Sequence, residues 1–308
     1  MNTAPDTSRN TAQNAAPAFG RLITAMVTPF AADRSLDLKR AQELACDLVR
    51  RGNDALILSG STGESSTLTH DEKLKLFQAV LDAVAGAAPV IANVGDYCTA
   101  SSVAFAKEAE QLGADGIMAV VPYYNKPPQE GIYQHFKAIA EAISIPVILY
   151  NIPGRCVINM EAATTLRLAN DCGNIRAVKE ASGNFEQIGE IVRGAPEGFT
   201  VYSGDDQATI PLMAMGGYGL IATAGNVVPE GMREIVYAMA AGDFGQALSC
   251  HSKLQPLMKA LFATSNPILV KAAMSMAGFD VGGVRLPLID ATEPQKQKLR
   301  AVMDAVGL

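Results

Sequence analysis

The stretch LITAMVTPFAADRS, residues 22–35, decides the fold. It opens as an apolar run of the kind that forms a strand covered on both faces. A doubly wound nucleotide-binding sheet would continue into G-x-G-x-x-G at this first strand-to-helix turn. Here the turn reads MVTPFAADRS and holds no glycine. Seven further apolar runs begin near Ala55 (ALILSG), Val90 (VIANVG), Gly116 (GIMAVVPYY), Pro146 (PVILYNIP), Ile175 (IRAVKEAS), Phe199 (FTVYSG) and Tyr218 (YGLIATAG). Between them, LKRAQELACDLVRRG, THDEKLKLFQAVLDAVAG and SSVAFAKEAEQLGA space their apolar residues as on one helix face. The second opens on a Thr69…Glu72 capping box, and each ends near a glycine.

Eight alternating strand–helix units over about 210 residues predict an α/β fold, a closed parallel (β/α)8 TIM barrel. The chain then continues through residues 229–262, 266–278 and 293–308, more helix than a barrel needs. The expected organisation is a loose polar tail over residues 1–19, a barrel over 20–228, and a C-terminal helical layer over 229–308 packed on the barrel.

Composition narrows the function. The net charge of −6 comes from scattered acids, and no Lys/Arg cluster interleaved with aromatics marks a nucleic-acid or polybasic membrane surface. No run is long and apolar enough to span a bilayer. Cys46, Cys98, Cys156, Cys172 and Cys250 are odd in number and widely spaced, as expected of reduced thiols in a cytoplasmic protein. His70, His135 and His251 lack metal-ligand spacing, so no metal is expected.

A barrel of this kind gathers its chemistry at the C-terminal ends of the strands. Those ends are polar here: SGSTGES (59–65), PYYNKPPQEG (122–131), YNIPGR (150–155), KEASGN (179–184) and SGDD (203–206). Along the sixth strand, period-two alternation puts Ile175, Ala177, Lys179 and Ala181 on one face, with Arg176, Val178 and Glu180 on the other. With the first set inward, Lys179 is a desolvated amine, able to be neutral and to form an imine with a ketone. Lys271, in NPILVKAA, is its rival, but Pro267 at a helix start places it on an outer helix away from the strand ends. Ser61 and Thr62 can hold a carboxylate or pass a proton. Tyr123, Tyr124 and Tyr150 are equally readable as packing residues with a wet tip, and Arg155 as a surface charge.

STGES, PYYNKPPQEGIYQHF, YNIPGR, KEASGN, SGDD and SNPILVK occur in one order and spacing that resembles the 4-hydroxy-tetrahydrodipicolinate (dihydrodipicolinate) synthase family of pyruvate-dependent class I aldolases. The resemblance runs from about Phe19 to the C-terminus. It implies that Lys179 forms the imine with pyruvate, with no cofactor, and that Tyr150 is the general acid/base. Ser61 and Tyr124 would complete a hydroxyl relay, Tyr124 reaching a neighbouring subunit's site in a homotetramer built as a dimer of dimers. Thr62 backbone would bind the pyruvate carboxylate and Arg155 the carboxylate of aspartate semialdehyde, while Gly204 and Ile221 line the pocket through main-chain groups. The resemblance also maps a feedback site for L-lysine onto Ser65, Ser66, His70, Lys73, Tyr97, Ser101 and Tyr123.

Two departures stand out. Ser61 replaces the family's usual threonine, and Arg155-Cys156-Val157 replaces Arg-Thr-Gly. The remaining alternatives are a sialic-acid lyase, a 2-keto-3-deoxy sugar acid aldolase or dehydratase, and a non-catalytic barrel that binds a keto acid.

Overall fold

Eight strands pair in chain order, each parallel to the next: β1 (Leu22–Ala25), β2 (Ala55–Leu58), β3 (Val90–Asn93), β4 (Gly116–Val120), β5 (Val147–Asn151), β6 (Ile175–Glu180), β7 (Thr200–Ser203) and β8 (Gly219–Ala222). β8 returns to β1, with Ile221 opposite Ile23, and closes the barrel. The computed structural model describes residues 17–308. Around the barrel lie α1 (Leu38–Arg50), α2 (His70–Val84), α3 (Thr99–Gln111), α4 (Gln129–Glu141), α5 (Pro153–Cys156), α6 (Ala162–Asp171), α7 (Phe185–Gly194), α8 (Thr209–Ala214) and α9 (Pro229–Ala241). The chain ends with α10 (Phe244–Leu261), α11 (Ile268–Met276) and α12 (Glu293–Val306).

Alternation along the strands divides the apolar residues into two cores. Ile23, Ile57, Ile91, Met118, Ile148, Ala177, Tyr202 and Ile221 fill the barrel, while Leu22, Leu56, Val90, Ile117, Leu149, Val178 and Leu220 pack outward under the helices. Burying both faces is why these strands read as continuous apolar runs. Ile175 departs from the expected pattern and packs outward. The register between β5 and β6 shifts after Val147, which faces Ile175, so that Ile148 faces Ala177 and Arg176 is skipped. The bulge changes the facing of the strand's first residue only; Ala177 and Lys179 keep the inward set.

Residues 1–16 of the expected tail lie outside the described residues. Phe19, placed in that tail from sequence, is buried in the inner core, and Tyr202 Oη donates to the carbonyls of Phe19 (3.1 Å) and Gly20 (2.8 Å). It closes the N-terminal end of the barrel. α9 packs on β1 and β8 as the barrel's eighth helix, so the added layer consists of α10, α11 and α12 rather than starting at residue 229. The Thr69–Glu72 capping box forms as the sequence predicts. Arg285 grips the same carboxylate at 2.6 and 2.8 Å and ties α2 to the C-terminal segment.

Candidate active site

The register that closes the barrel sets Tyr150 of β5 directly opposite Lys179 of β6, and Lys179 opposite Tyr202 of β7. Lys179 is 5% exposed, and its Nζ lies 4.4 Å from the centre of the Tyr150 ring. Burial pulls its pKa down from 10.5 to about 8; the Asp206 carboxylate works against that and the Arg155 charge adds to it. At pH 7 such an amine is neutral in about one molecule in ten, against about one in 3,000 for an ordinary lysine. Burial raises the Tyr150 hydroxyl above its usual range, opposed by Arg155 and by a hydrogen bond with the Ser61 hydroxyl. A phenol held protonated beside an amine that readily loses its proton is suited to giving a proton and taking it back.

Ser61, Tyr150 and Arg155 line one cavity of about 660 Å³, together with Tyr123, Asp96 and Lys73. Thr62 is buried in the turn after β2, where its hydroxyl oxygen accepts from Asn266 Nδ2 at 2.9 Å. Arg155 sits exposed on the four-residue helix α5 at the mouth. Gly204 follows β7 where no side chain fits: a Cβ would stand 2.7 Å from Ala181 Cβ and 3.1 Å from Lys179 Cγ. Ile221 lies fully buried in the inner core below.

Tyr124 is the candidate that the chain does not bring to this cluster. It is 88% exposed, holds φ at +71°, and lines an adjoining groove with Lys126 and Val157 that shares Tyr123, Arg155 and Cys156 with the main cavity. Its neighbour Tyr123 faces the main cavity and meets Tyr97 edge-on at 5.3 Å. Of the three hydroxyls expected to act together, one chain brings Tyr150 and Ser61 to a shared cavity and leaves Tyr124 outside it. Val157 also takes a left-handed backbone, φ +59°, at the position where the family pattern carries glycine.

Lys271 is not remote from the strand ends, as its place on a helix suggested. α11 lies over the turn that follows β2, and Lys271 is 2% exposed with its Nζ 2.6 Å from Glu64 Oε1. Burial lowers its pKa to about 8 as well, with Glu64 opposing. The two lysines are distinguished by their contacts. The Lys271 ammonium is held by Glu64, by the Gly283 carbonyl at 2.8 Å and by the Phe30 ring at 4.1 Å. It is a structural cation.

Two buried acids were missed from sequence. Asp206, in SGDD, is 2% exposed, accepts the Thr223 and Ala224 N–H groups at 3.0 and 2.8 Å, and burial raises its pKa to about 6. Its signal was a second acid directly after a strand end. Glu180 accepts from Ser182 N–H at 2.7 Å, Asn151 Nδ2 at 3.1 Å and Gln187 Nε2 at 3.2 Å, locking the ends of β5 and β6 behind Tyr150 and Lys179. Its signal was an outward-facing charge beside Val178. Among the described residues no group of His, Cys, Asp and Glu is arranged to hold a metal ion, and no helix is long and apolar enough to cross a membrane.

The model of the dihydrodipicolinate synthetase family matches residues 18–306. The chain belongs to that family. Two curated family members named 4-hydroxy-tetrahydrodipicolinate synthase are similar over nearly their whole length. The one from Moorella thermoacetica is 56% identical over 290 residues, covering 94% of this chain and 99% of its own. The one from Symbiobacterium thermophilum is 52% identical over 292 residues, covering 95% and 99%. The crystal structure of the family member from Cyanidioschyzon merolae with lysine bound superposes with a TM-score of 0.93 at 45% identity, covering 95% of this chain and 99% of that one.

Proposed function

We propose that this barrel is a lyase of the class I aldolase type that condenses pyruvate with L-aspartate 4-semialdehyde to 4-hydroxy-tetrahydrodipicolinate, in the diaminopimelate route to lysine. The observation that carries the reading is the desolvated Lys179 amine against the Tyr150 ring, with Tyr150 and Ser61 lining one cavity. Family membership at about half identity to the named synthases supports it.

The neutral Lys179 amine attacks the pyruvate ketone, and water leaves as the imine forms. Thr62 backbone holds the pyruvate carboxylate, between the main chain of Gly204 and Ile221. Tyr150, having given its proton to the departing water, takes a methyl proton back as the enamine forms, and the enamine carbon bonds to the aldehyde carbon of the semialdehyde. Tyr150 supplies the proton to the new alkoxide, and Ser61 passes protons onward. Attack of the semialdehyde's amine on the imine carbon closes the ring and frees Lys179. The reaction needs no cofactor, because the lysine–pyruvate imine is itself the electron sink. Arg155 at the mouth matches the second substrate's carboxylate as a charge-assisted partner. That cation favours the synthase over the sialic-acid lyase, whose pattern lacks it.

The exposed Tyr124, with its left-handed backbone, is placed by this reading in a neighbouring subunit's site, within a homotetramer built as a dimer of dimers. Free thiols at all five cysteines support a cytoplasmic setting. The test is a coupled assay with pyruvate and aspartate semialdehyde as sole substrates, together with borohydride reduction in the presence of pyruvate. Turnover and a reduced adduct on Lys179 are expected, and Lys179→Ala abolishes the adduct. An adduct on Lys271 instead, or none, overturns the mechanism.

A further inference from the structure

The turn after β2 carries Ser61 and Thr62 on a demanding backbone. Ser59 and Glu64, neither of them glycine, both take φ +53° at its two ends. Between them, a Cβ on Gly63 would stand 3.0 Å from Ser59 N and 3.1 Å from Met26 O. Backbone in this region keeps its shape only where the surroundings over-determine it. From the barrel, Thr28 Oγ1 donates to the Gly63 carbonyl at 2.6 Å. Also from the barrel, Asn93 Nδ2 donates to the Ser59 carbonyl at 2.9 Å; the holds on Thr62 and Glu64 come from the C-terminal layer. Glu64 Oε1 meets Lys271 Nζ at 2.6 Å, Glu64 Oε2 accepts the Arg285 N–H at 2.9 Å, and Asn266 Nδ2 donates to Thr62 Oγ1 at 2.9 Å.

We propose that Lys271, acting through Glu64, and Asn266, acting through Thr62, are positioning residues: the C-terminal layer clamps this turn so that the Ser61 hydroxyl is held in the cavity wall it shares with Tyr150. The proposal rests on the reading of Lys179, Tyr150 and Ser61 given above. The side chains of Glu64 and Lys271 are 1% and 2% exposed, so neither charge has water to fall back on. Loss of either partner leaves an uncompensated buried charge. Relief comes when Glu64 turns outward to solvent, and the turn moves with it. Lys271 thereby acquires a role without touching substrate, and the C-terminal helices become part of the active site's framework.

A double-mutant cycle tests the clamp. Lys271→Met is expected to lower kcat by about 10- to 100-fold, the scale of a small misplacement of a catalytic group, while pyruvate is still trapped on Lys179 by borohydride. Ser61→Ala combined with Lys271→Met is expected to be no slower than Ser61→Ala alone, since both act on one hydroxyl. Glu64→Gln added to Lys271→Met removes both charges and is expected to recover most of the lost kcat. Asn266→Ala, crossed with Ser61→Ala, gives the same cycle should Lys271→Met not fold. Losses that multiply in the double variants overturn the clamp while leaving the mechanism standing, provided that the unaltered protein traps pyruvate and condenses it. Failure of the unaltered protein to trap pyruvate on Lys179 overturns the mechanism and the clamp together.

Discussion

Lys179 has two charged neighbours acting on it in opposite directions: Asp206 stabilises its ammonium and Arg155 destabilises it. The amine's working pKa, about 8, is set by burial and trimmed by this pair. Imine formation with pyruvate therefore rises with pH through about 8, because the neutral amine is the reactive form. Asp206→Asn removes the stabilising charge and moves that limb to lower pH; Arg155→Ala moves it higher. The rate of borohydride-trapped adduct formation against pH reads both. Shifts in the same direction in the two variants would show that something other than local charge sets the lysine. Arg155→Ala should also weaken the semialdehyde far more than pyruvate, as a carboxylate clamp requires.

Tyr124 and Tyr150 belong to different sites if Tyr124 crosses to a neighbour. Tyr150→Phe and Tyr124→Phe are each expected to lower kcat by about 10²- to 10⁴-fold, the range for loss of positioned acid–base help. Mixing the two variants and allowing subunits to exchange regenerates intact sites wherever each partner supplies what the other lacks. In a randomly mixed dimer, about a quarter of all sites are then complete. Recovery of activity toward that fraction is expected after denaturation and joint refolding. No recovery, with dimers present by light scattering, would place both tyrosines in one chain's site.

Glu72 joins the capping of α2 to the C-terminal segment through Arg285, and the guanidinium's hydrogen bonds hold its carboxyl down from 4.5 to about 2. A depressed acid contributes stability that is complete above pH 4.5 and is lost as pH falls from there to about 2. The shift corresponds to about 3 kcal/mol, reduced to about 2 kcal/mol for partial exposure of the pair. Glu72→Gln keeps a capping partner for Thr69 but loses the charge. Urea midpoints at pH 7 and pH 3 should differ less in the variant than in the unaltered protein. An equal difference in both would mean that the Arg285 contact contributes nothing net.

What the sequence disclosed and what it hid follow from the range of the interactions involved. The eight strands were legible because two covered faces leave a continuous apolar run, and the alternation around Ala177 and Lys179 was enough to aim the amine inward. Ile175 was misread because a bulge that skips one residue leaves no mark in local periodicity. Phe19 was assigned to a tail because its partners, the core around Tyr202, lie some 180 residues away in the chain. Lys271 and Glu64 are likewise joined only by the tertiary fold, and a lysine on a helix flanked by apolar residues is compatible with an outer face. Asp206 shows the same limit: its partners, the N–H groups after β8, become visible only once β7 and β8 are neighbours.

The cavity beside Tyr150 extends to Ser65, Ser66, Lys73, Tyr97 and Tyr123, positions that the family resemblance assigns to binding of L-lysine. Its charge is wrong for a cation. The Lys73 ammonium stands in the wall, half-buried, and burial lowers its pKa, with Asp96 the one acid opposing that shift. His70 is turned away and engages Glu108 at 2.6 Å. Ser101, where the resemblance implies glutamate in lysine-sensitive members, supplies no charge. Loss of one charge-assisted partner for an ammonium costs about 1.5–3 kcal/mol, roughly ten- to a hundredfold in affinity. Lysine is therefore expected to inhibit weakly or not at all, whereas Lys73→His with Ser101→Glu should introduce inhibition by removing a like charge and adding an opposite one. Initial rates across a lysine titration decide it: half-inhibition of the unaltered protein at submillimolar lysine would mean that Asp96 and the tyrosine hydroxyls alone suffice to hold the ligand against the Lys73 charge.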